Sequence, residues 1–324
     1  MDSGEPSSSA PEVEAAAQRL RIDYAAAEVL RAFDAADVQS LLLKGASVVG
    51  WLYRDGDAPG YFDCDLLVRP GAEDAAAGVL AGLGFVPELD ERKMPAWWRG
   101  HALIWFRPGD KAYVDVHRTI PGVQVDSERL WETLSAQTER VLVGGFPARA
   151  LRIPGRALHV ALHAAQHGWP QQRAVLRRAV VQMDEAGWRE AAELAESLGA
   201  TAAFAAGLRL VPAGKTLADR LGLPSEGQID VALRASAARP EALTFEQLRR
   251  ARGLRARLAI VRYKLAPPPT FMRKWSPSAQ RGGLGLAAAY LQRPFWLLRR
   301  APAAFRAWRQ ARDEVRGAAG RQRR

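Results

Sequence analysis

Two aspartates separated by a single residue stand at the front of a short apolar segment, Phe62 to Val68 (FDCDLLV). The apolar residues predict a buried strand, and side chains alternate between the two faces of a strand. Asp63 and Asp65 therefore share one face, about 7 Å apart, and Cys64 takes the other. Two carboxylates held this close repel each other unless a cation lies between them. The segment thus predicts a rigid strand that presents a metal-binding pair.

A third aspartate, Asp115, interrupts a second apolar strand, Ala112 to His117. An acid on a neighbouring strand would complete an oxygen-rich site of the kind that Mg²⁺ prefers. His117 falls on the same face as Asp115 in a regular strand. It either orients a metal-bound group or simply ends the strand, and the sequence favours neither interpretation.

A glycine turn supplies the second half of the candidate site. The segment Val38 to Leu43 predicts a strand, which ends at Lys44-Gly45, and Ala46 to Tyr53 predicts a helix. A glycine at a strand-to-helix turn lets the backbone approach a phosphate, and the helix start offers free N–H groups. Ser47 would add a hydroxyl donor and Lys44 a positive charge.

Together, LLLKGAS, the D-x-D-L-L-V strand 18 residues after Gly45, and the later VDVH strand resemble the DNA polymerase β-like nucleotidyltransferase superfamily. They are most similar to its bacterial group of uncharacterised nucleotidyltransferases. The His-rich LHVALHAAQHGW and the basic, aromatic YLQRPFWLLRR belong to the same resemblance. It covers most of the chain from Leu41 onward.

The resemblance implies an α+β fold, in which a mixed β-sheet with flanking helices precedes an all-helical domain and a basic helical C-terminal region. It implies that Asp63, Asp65 and Asp115 are the catalytic residues and the metal ligands. Lys44, Gly45 and Ser47 would bind the nucleotide phosphates. The expected cofactor is Mg²⁺, as two ions, with Mn²⁺ as a substitute.

The implied reaction moves a nucleoside monophosphate from an NTP to an unknown hydroxyl or phosphate acceptor. One ion would lower the pKa of the attacking hydroxyl, and the other would neutralise the leaving pyrophosphate. Two features depart from the family pattern. Pro59 to Phe62 lacks an arginine that many members carry before the D-x-D, and Arg54 is the nearest substitute. The helix after the His-rich one lacks an early acid, for which Asp184 is a candidate counterpart.

The pattern of helix breakers predicts four segments. Residues 1–12 are predicted to be disordered, residues 13–153 to form the catalytic domain, residues 154–238 a helical domain, and residues 239–324 the basic, aromatic-rich region. Residues 13–36 are predicted to form one or two helices, with Leu20, Tyr24, Leu30 and Phe33 at helical spacing. In the basic region, helices are predicted at 244–265, 283–298 and 302–316, separated by prolines.

Positive charge is concentrated at the C-terminal end. The chain has a formal charge of +11, but residues 241–324 contain 20 Lys/Arg and four acids, a balance of +16. Three interpretations remain open: binding to an anionic membrane surface, binding to a nucleic acid, or a solvated helix face. The alternative function is therefore a non-catalytic protein of this fold that docks to a membrane or a partner through this region.

Three histidines, His159, His163 and His167, recur at four-residue spacing on one predicted helix. They are interpreted as partly buried packing residues rather than as metal ligands. Cys64 is the single cysteine, so an internal disulfide is excluded. The opening residues have no apolar stretch typical of a secretory signal. The expected location is the cytoplasm, with peripheral membrane association if the basic region binds lipid.

Overall fold

The strands predicted in the first half of the chain lie in one mixed sheet. The computed structural model describes residues 10–54, 57–89, 100–225, 228–236 and 238–322. Within these ranges, the sheet contains β1 (Ser40–Leu42), β2 (Asp63–Val68), β3 (Val86–Pro87), β4 (Ala102–Arg107), β5 (Ala112–His117), β6 (Thr138–Val143) and β7 (Phe146–Leu151). Their order across the sheet is β3-β4-β5-β2-β1-β7-β6. The two aspartate-bearing strands, β2 and β5, are therefore neighbours in its interior.

Both kinds of strand pairing occur in this sheet. Strand β2 runs parallel to β5 and antiparallel to β1. Strand β1 is parallel to β7, and β6 and β7 form an antiparallel hairpin. The prediction of a mixed sheet is thus confirmed. Strand β3 was not predicted, because two residues are too few to show an alternating pattern.

Helices flank the sheet and make up most of the remaining described chain. They are α1 (Ala10–Ala35), α2 (Ala46–Leu52), α3 (Glu73–Gly82), α4 (Ser127–Ser135), α5 (Ile153–His167), α6 (Pro170–Gln182), α7 (Glu185–Ser197), α8 (Thr201–Leu208), α9 (Pro212–Arg220), α10 (Ile229–Ala235), α11 (Pro240–Arg250), α12 (Leu254–Leu265), α13 (Pro269–Trp275) and α14 (Gly282–Gln322). A 3₁₀ turn, Pro277–Gln280, precedes α14. The predicted order, a sheet with helices followed by helices alone, is confirmed.

Helix α1 covers one face of the sheet, and it buries only part of the apolar set predicted at helical spacing, including Leu30 and Phe33. Its buried residues include Ile22, Val29 and Phe33, which pack with the sheet strands in one core. Leu20 and Tyr24, which belong to the same predicted set, are exposed. Alanine is abundant all round this helix, so the sequence pattern did not distinguish the two sides. Most of the predicted disordered segment, residues 1–9, lies outside the described residues.

The helices predicted in the basic region differ from the structure in two places. Pro294 and Pro302 lie inside α14, which continues through the gap predicted between residues 298 and 302. A proline inside a helix costs about 3 kcal/mol, and packing of α14 against α10, α11 and α13 offsets this cost. Conversely, the helix predicted over 244–265 is divided at Gly253, which has a positive φ of 86°.

The chain divides into two compact units. Of the described residues, those within 1–88, 100–162 and 174–200 form the sheet unit, and those within 89–99, 163–173 and 201–324 form the helical unit. In the described part of the chain, no helix combines the length and the apolar character that a bilayer crossing requires.

A buried carboxylate connects two helices of the helical unit, α11 and α14. The side chain of Glu246 on α11 is buried and accepts hydrogen bonds from Arg249 (2.6 and 2.8 Å), from Arg250 (2.7 Å) and from the indole of Trp308 on α14 (3.1 Å). Burial opposes the charge of Glu246, but these hydrogen bonds outweigh it and lower its pKa to about 2.

Candidate active site

The register of the two central strands brings the predicted acids to one face of the sheet. Asp65 on β2 is the direct partner of Asp115 on the parallel strand β5, and Asp63 is the partner of Tyr113. Directly paired residues on adjacent strands point to the same side, and so do residues two apart on one strand. The three carboxylates therefore share one surface, although they are distant in sequence.

The opposite face of β2 anchors this arrangement. Cys64, Leu66 and Val68 are buried in the core beneath α1. Burial raises the pKa of the Cys64 thiol, and the negative charges of Asp65 and Asp63 raise it further. The thiol is thus a poor nucleophile, and its role is packing. An immobile strand of this kind is what a catalytic constellation needs.

His117 lies close to two of the acids, Asp65 and Asp115. One ligand atom each from Asp65, Asp115 and His117 can be chosen so that all three lie within 4.8 Å of one another. The Nε2 atom of His117 lies 2.9 Å from Oδ1 of Asp65, and both side chains are buried. With Nε2 protonated, His117 donates to Asp65 and fixes the orientation of that carboxylate. From the sequence alone, His117 could either orient a metal-bound group or simply end the strand.

Lys44 lies beside the two carboxylates of the D-x-D pair, whereas the sequence predicted that it binds phosphate. Its Nζ atom lies 3.3 Å from Oδ2 of Asp63 and 3.1 Å from Oδ2 of Asp65. Burial disfavours the ammonium, but the two carboxylates outweigh burial and raise the pKa of Lys44. The ammonium thus holds the D-x-D pair together, at the position predicted for a metal ion.

Charge within the site is unbalanced. Burial opposes the charge of Asp65, yet Lys44 and His117 outweigh it and lower the pKa of this carboxyl. Lys44 and His117 also lower the pKa of Asp115, but they do not outweigh the opposing effects there. Burial, together with the negative charges of Asp65 and Asp63, raises its pKa to about 7. The pKa of Asp63 is also raised, first by burial and then by the charge of Asp65.

Three carboxylates thus share the positive charge of one lysine. A divalent cation would correct this deficit, and carboxylate oxygens are the ligands that Mg²⁺ and Mn²⁺ prefer. With His117 donating to Asp65, the imidazole would act behind the ligand, as histidine and carboxylate pairs commonly do around metals. The residues present therefore fit a divalent ion of this kind.

The turn beside the acids depends on Gly45. Its φ of 71° and ψ of −126° lie in a region that side chains exclude. A Cβ atom there would lie 3.6 Å from the ring of Tyr61, an ordinary contact, so the backbone conformation is what requires glycine. Ser47 is buried, and its hydroxyl lies 3.4 Å from the carbonyl oxygen of Lys44, a weak hydrogen bond.

His159, interpreted from the sequence as a packing residue, lies in the electrostatic environment of these groups. It is buried on α5, and burial lowers its pKa to about 3 against the opposing charge of Asp65. The imidazole is therefore neutral at physiological pH. Farther along α5, His163 and His167 contact each other, with ring centroids 4.8 Å apart. Four-residue spacing alone could not separate His159 from the other two.

Comparison with known proteins agrees with this geometry. A family model described as uncharacterised nucleotidyltransferase matches residues 10–213. The chain belongs to this family. The family resemblance noted in the sequence is thereby confirmed within residues 10–213, and so is the prediction that the chain is a nucleotidyltransferase. The segment YLQRPFWLLRR lies beyond the match, and its part in the resemblance stays a prediction. No curated protein matches the chain.

Two solved structures are similar at a distant level. One is the solution structure of the antibiotic-resistance factor ANT(2'')-Ia, with 16% identity, a TM-score of 0.37, and coverage of 55% of this chain and 89% of that chain. The other is an antigenic nucleotidyltransferase-like protein from Paracoccidioides brasiliensis, with 12% identity, a TM-score of 0.37, and coverage of 63% and 93%. The family assignment rests on the family model.

The two departures from the family pattern have different outcomes. Asp184 is the N-cap of α7, where its side chain accepts a hydrogen bond from the backbone N–H of Gly187 at 2.9 Å. This is a common helix-start role, and it accounts for the residue without a catalytic function. Arg54 is exposed. Its role as a substitute for the family arginine stays a prediction.

Proposed function

We propose that this protein catalyses Mg²⁺-dependent transfer of a nucleoside monophosphate from an NTP to a hydroxyl or phosphate acceptor. The observation that carries the proposal is the direct pairing of Asp65 with Asp115 on parallel strands, beside Asp63, Lys44 and His117. Membership of a nucleotidyltransferase family supports the reaction class.

Each residue has a role in this proposal that follows from its surroundings. Asp63, Asp65 and Asp115 would hold divalent ions, which when bound would activate the acceptor hydroxyl and neutralise charge on the leaving pyrophosphate. Asp115 is also the carboxylate that would accept the proton of that hydroxyl. His117 keeps Asp65 oriented.

The transfer itself exchanges one bond for another. The acceptor oxygen forms a bond to the α-phosphorus of the NTP, and the bond between that phosphorus and the α,β-bridging oxygen breaks. The acceptor proton passes to Asp115, and pyrophosphate leaves. Lys44 would direct its ammonium toward the phosphates, and Gly45 and Ser47 would contact them from the turn.

A labelling experiment tests this proposal. Purified protein is incubated with MgCl₂, cell extract and NTP labelled at either the α or the γ phosphate. Nucleotidyl transfer puts α label, but not γ label, into an adduct. We expect EDTA to abolish the labelling and Mn²⁺ to restore it. Transfer of γ label would indicate a phosphotransferase instead.

The variants provide the decisive comparison. Asp65→Asn should lose labelling by at least a hundredfold, because removal of a charged ligand weakens both metal binding and electrostatic stabilisation (roughly 10²–10³-fold). Asp34→Asn removes an exposed acid on α1 and should label as the unmodified protein does. Equal labelling by both variants would exclude the proposed site. Absence of labelling from every NTP would favour the alternative, a non-catalytic protein of this fold.

A further inference from the structure

Helix α14 carries a row of large apolar side chains that its own unit leaves exposed. The exposed members are Leu284, Leu291, Phe295, Leu298 and Phe305, and Leu284 is 90% exposed. Residues 284, 291, 298 and 305 are seven apart, and residue 295 falls between them. At 100° per residue, this spacing gives one continuous stripe along the helix, about 32 Å long at 1.5 Å per residue. We call it the α14 stripe.

The α14 stripe lies opposite the side by which the helix packs. Ala289, Ala304 and Ala311 are buried against α10, α11, α13 and the 3₁₀ turn. These residues are about 180° around the helix from the stripe. The helix therefore has two apolar sides, one of which completes the core of its unit.

Helix α12 repeats this pattern. Leu254, Leu258, Val261 and Leu265 are exposed and recur at spacings of four, three and four residues. Ile260 and Tyr263 on the same helix are buried. Two helices of one unit thus each present an outward stripe of apolar side chains at helical spacing, unlike singly scattered surface leucines, which are common.

Exposed arginines accompany both stripes. On α12 they are Arg255, Arg257 and Arg262, and on α14 they are Arg299, Arg306 and Arg309. Residues 241–324 have a balance of +16. Apolar side chains bordered by arginines are the composition of helices that lie in the interface of an anionic membrane.

We infer that the α12 and α14 stripes form a surface by which this protein binds an anionic phospholipid membrane. Charge complementarity selects this occupant. Pairing with a second copy through the same stripes would bring two sets of arginines together, which like-charge repulsion disfavours. A nucleic acid would satisfy the arginines through its phosphates, but it would leave the leucines exposed. A lipid surface accommodates both kinds of side chain.

Co-sedimentation of the full chain with vesicles tests the inference. Phosphatidylcholine vesicles are compared with vesicles containing about one third phosphatidylserine, at low and high salt. We expect binding to the anionic vesicles only, and weaker binding at high salt. Binding that is equal for both vesicle types, or undetectable for both, would overturn the inference.

A matched pair of variants distinguishes membrane binding through the α14 stripe from nonspecific adsorption of exposed apolar residues. Leu291→Ser/Phe295→Ser removes apolar area from the α14 stripe without changing charge, and should weaken vesicle binding at least tenfold, since each inserted side chain contributes about a factor of ten. Leu142→Ser/Val181→Ser removes equally exposed apolar residues from the sheet unit and should bind as the unmodified protein does. Circular dichroism confirms that both variants remain folded.

Further measurements test the two other candidate partners of this surface, a nucleic acid and a second copy of the chain. Arg299→Gln/Arg306→Gln should weaken vesicle binding by more than tenfold, at about fivefold for each arginine. If the stripe variant binds vesicles normally while the arginine variant loses binding to a single-stranded RNA probe, the surface binds nucleic acid and the inference fails. It also fails if light scattering shows that the stripe variant converts a dimer into a monomer. Failure here leaves the proposed transferase activity unaffected.

Discussion

Replacing Lys44 with methionine should make the fold depend on a divalent ion. The lysine ammonium lies within 3.3 Å of two carboxylates, and the Asp65 side chain is only 4% exposed. At an effective dielectric constant of about 20, a charge pair at 3.1 Å is attracted by about 5 kcal/mol before desolvation is subtracted. Removal of one partner of a buried pair costs about 3–5 kcal/mol. We therefore expect this loss in the metal-free protein.

Thermal unfolding measures the effect. A loss of 3–5 kcal/mol corresponds to a decrease of roughly 6–20 °C in the melting temperature of a domain of this size. Added Mg²⁺ should recover more of it in Lys44→Met than in the unmodified protein, because the ion replaces the missing charge without displacing an ammonium. Melting curves recorded in EDTA and across a Mg²⁺ titration give both quantities.

Lys215→Met is the matched control. Lys215 pairs with Asp219 at 2.9 Å, but its side chain is 65% exposed, and exposed pairs contribute at most about 1 kcal/mol. This variant should melt within about 4 °C of the unmodified protein, with an unchanged response to Mg²⁺. The reasoning is refuted if Lys44→Met melts as the control does in EDTA, or if Mg²⁺ stabilises the two variants equally.

Three further predictions concern other parts of the chain. Glu246→Gln should destabilise the helical unit by about 3 kcal/mol, because a shift of one pKa unit corresponds to about 1.4 kcal/mol. The lowered pKa of Glu246 means that this stability is present above pH 4.5 and is lost as pH falls toward 2, so urea titrations of both proteins should converge in acid. Gly45→Ala should cost about 1–2 kcal/mol through its positive φ, whereas Gly50→Ala, in open space on α2, should be neutral or stabilising by urea titration. His117→Ala should weaken Mg²⁺ binding about 10–100-fold by calorimetry, and an unchanged affinity would remove its proposed role.

The convergence of the acids could be predicted because each step is local. Alternation along β2 places Asp63 and Asp65 on one face, and the same rule applies to Asp115 and His117 on β5. Only the pairing of β2 with β5 is a long-range property, and the family resemblance supplied it. The glycine turn is similarly local, since the conformation of Gly45 excludes other residues.

Several features that could not be predicted depend on contacts between distant segments. The sequence assigned Lys44 to phosphate binding, because its position between two carboxylates arises only when β1 pairs with β2. A break was expected between residues 298 and 302, before Pro302, but the packing of α14 against its neighbours outweighs that local preference. His159 has the same spacing as His163 and His167, yet only tertiary structure makes it a neighbour of the acids.

The excess of negative charge that suits the site to a cation also destabilises the metal-free protein. The pKa of Asp115 is raised from 3.8 to about 7, so its ionisation opposes folding increasingly as pH rises from 4 to 7, and fully above 7. At 1.4 kcal/mol per pKa unit, this amounts to at most about 4 kcal/mol. Asp115→Asn should therefore stabilise the metal-free protein at pH 8 by up to that amount and have little effect at pH 4, while abolishing transfer. Urea titrations in EDTA at the two pH values measure the difference. A variant that is less stable at pH 8 would show that the carboxylate of Asp115 stabilises the sheet, and the site would not need the cation that the proposed reaction requires.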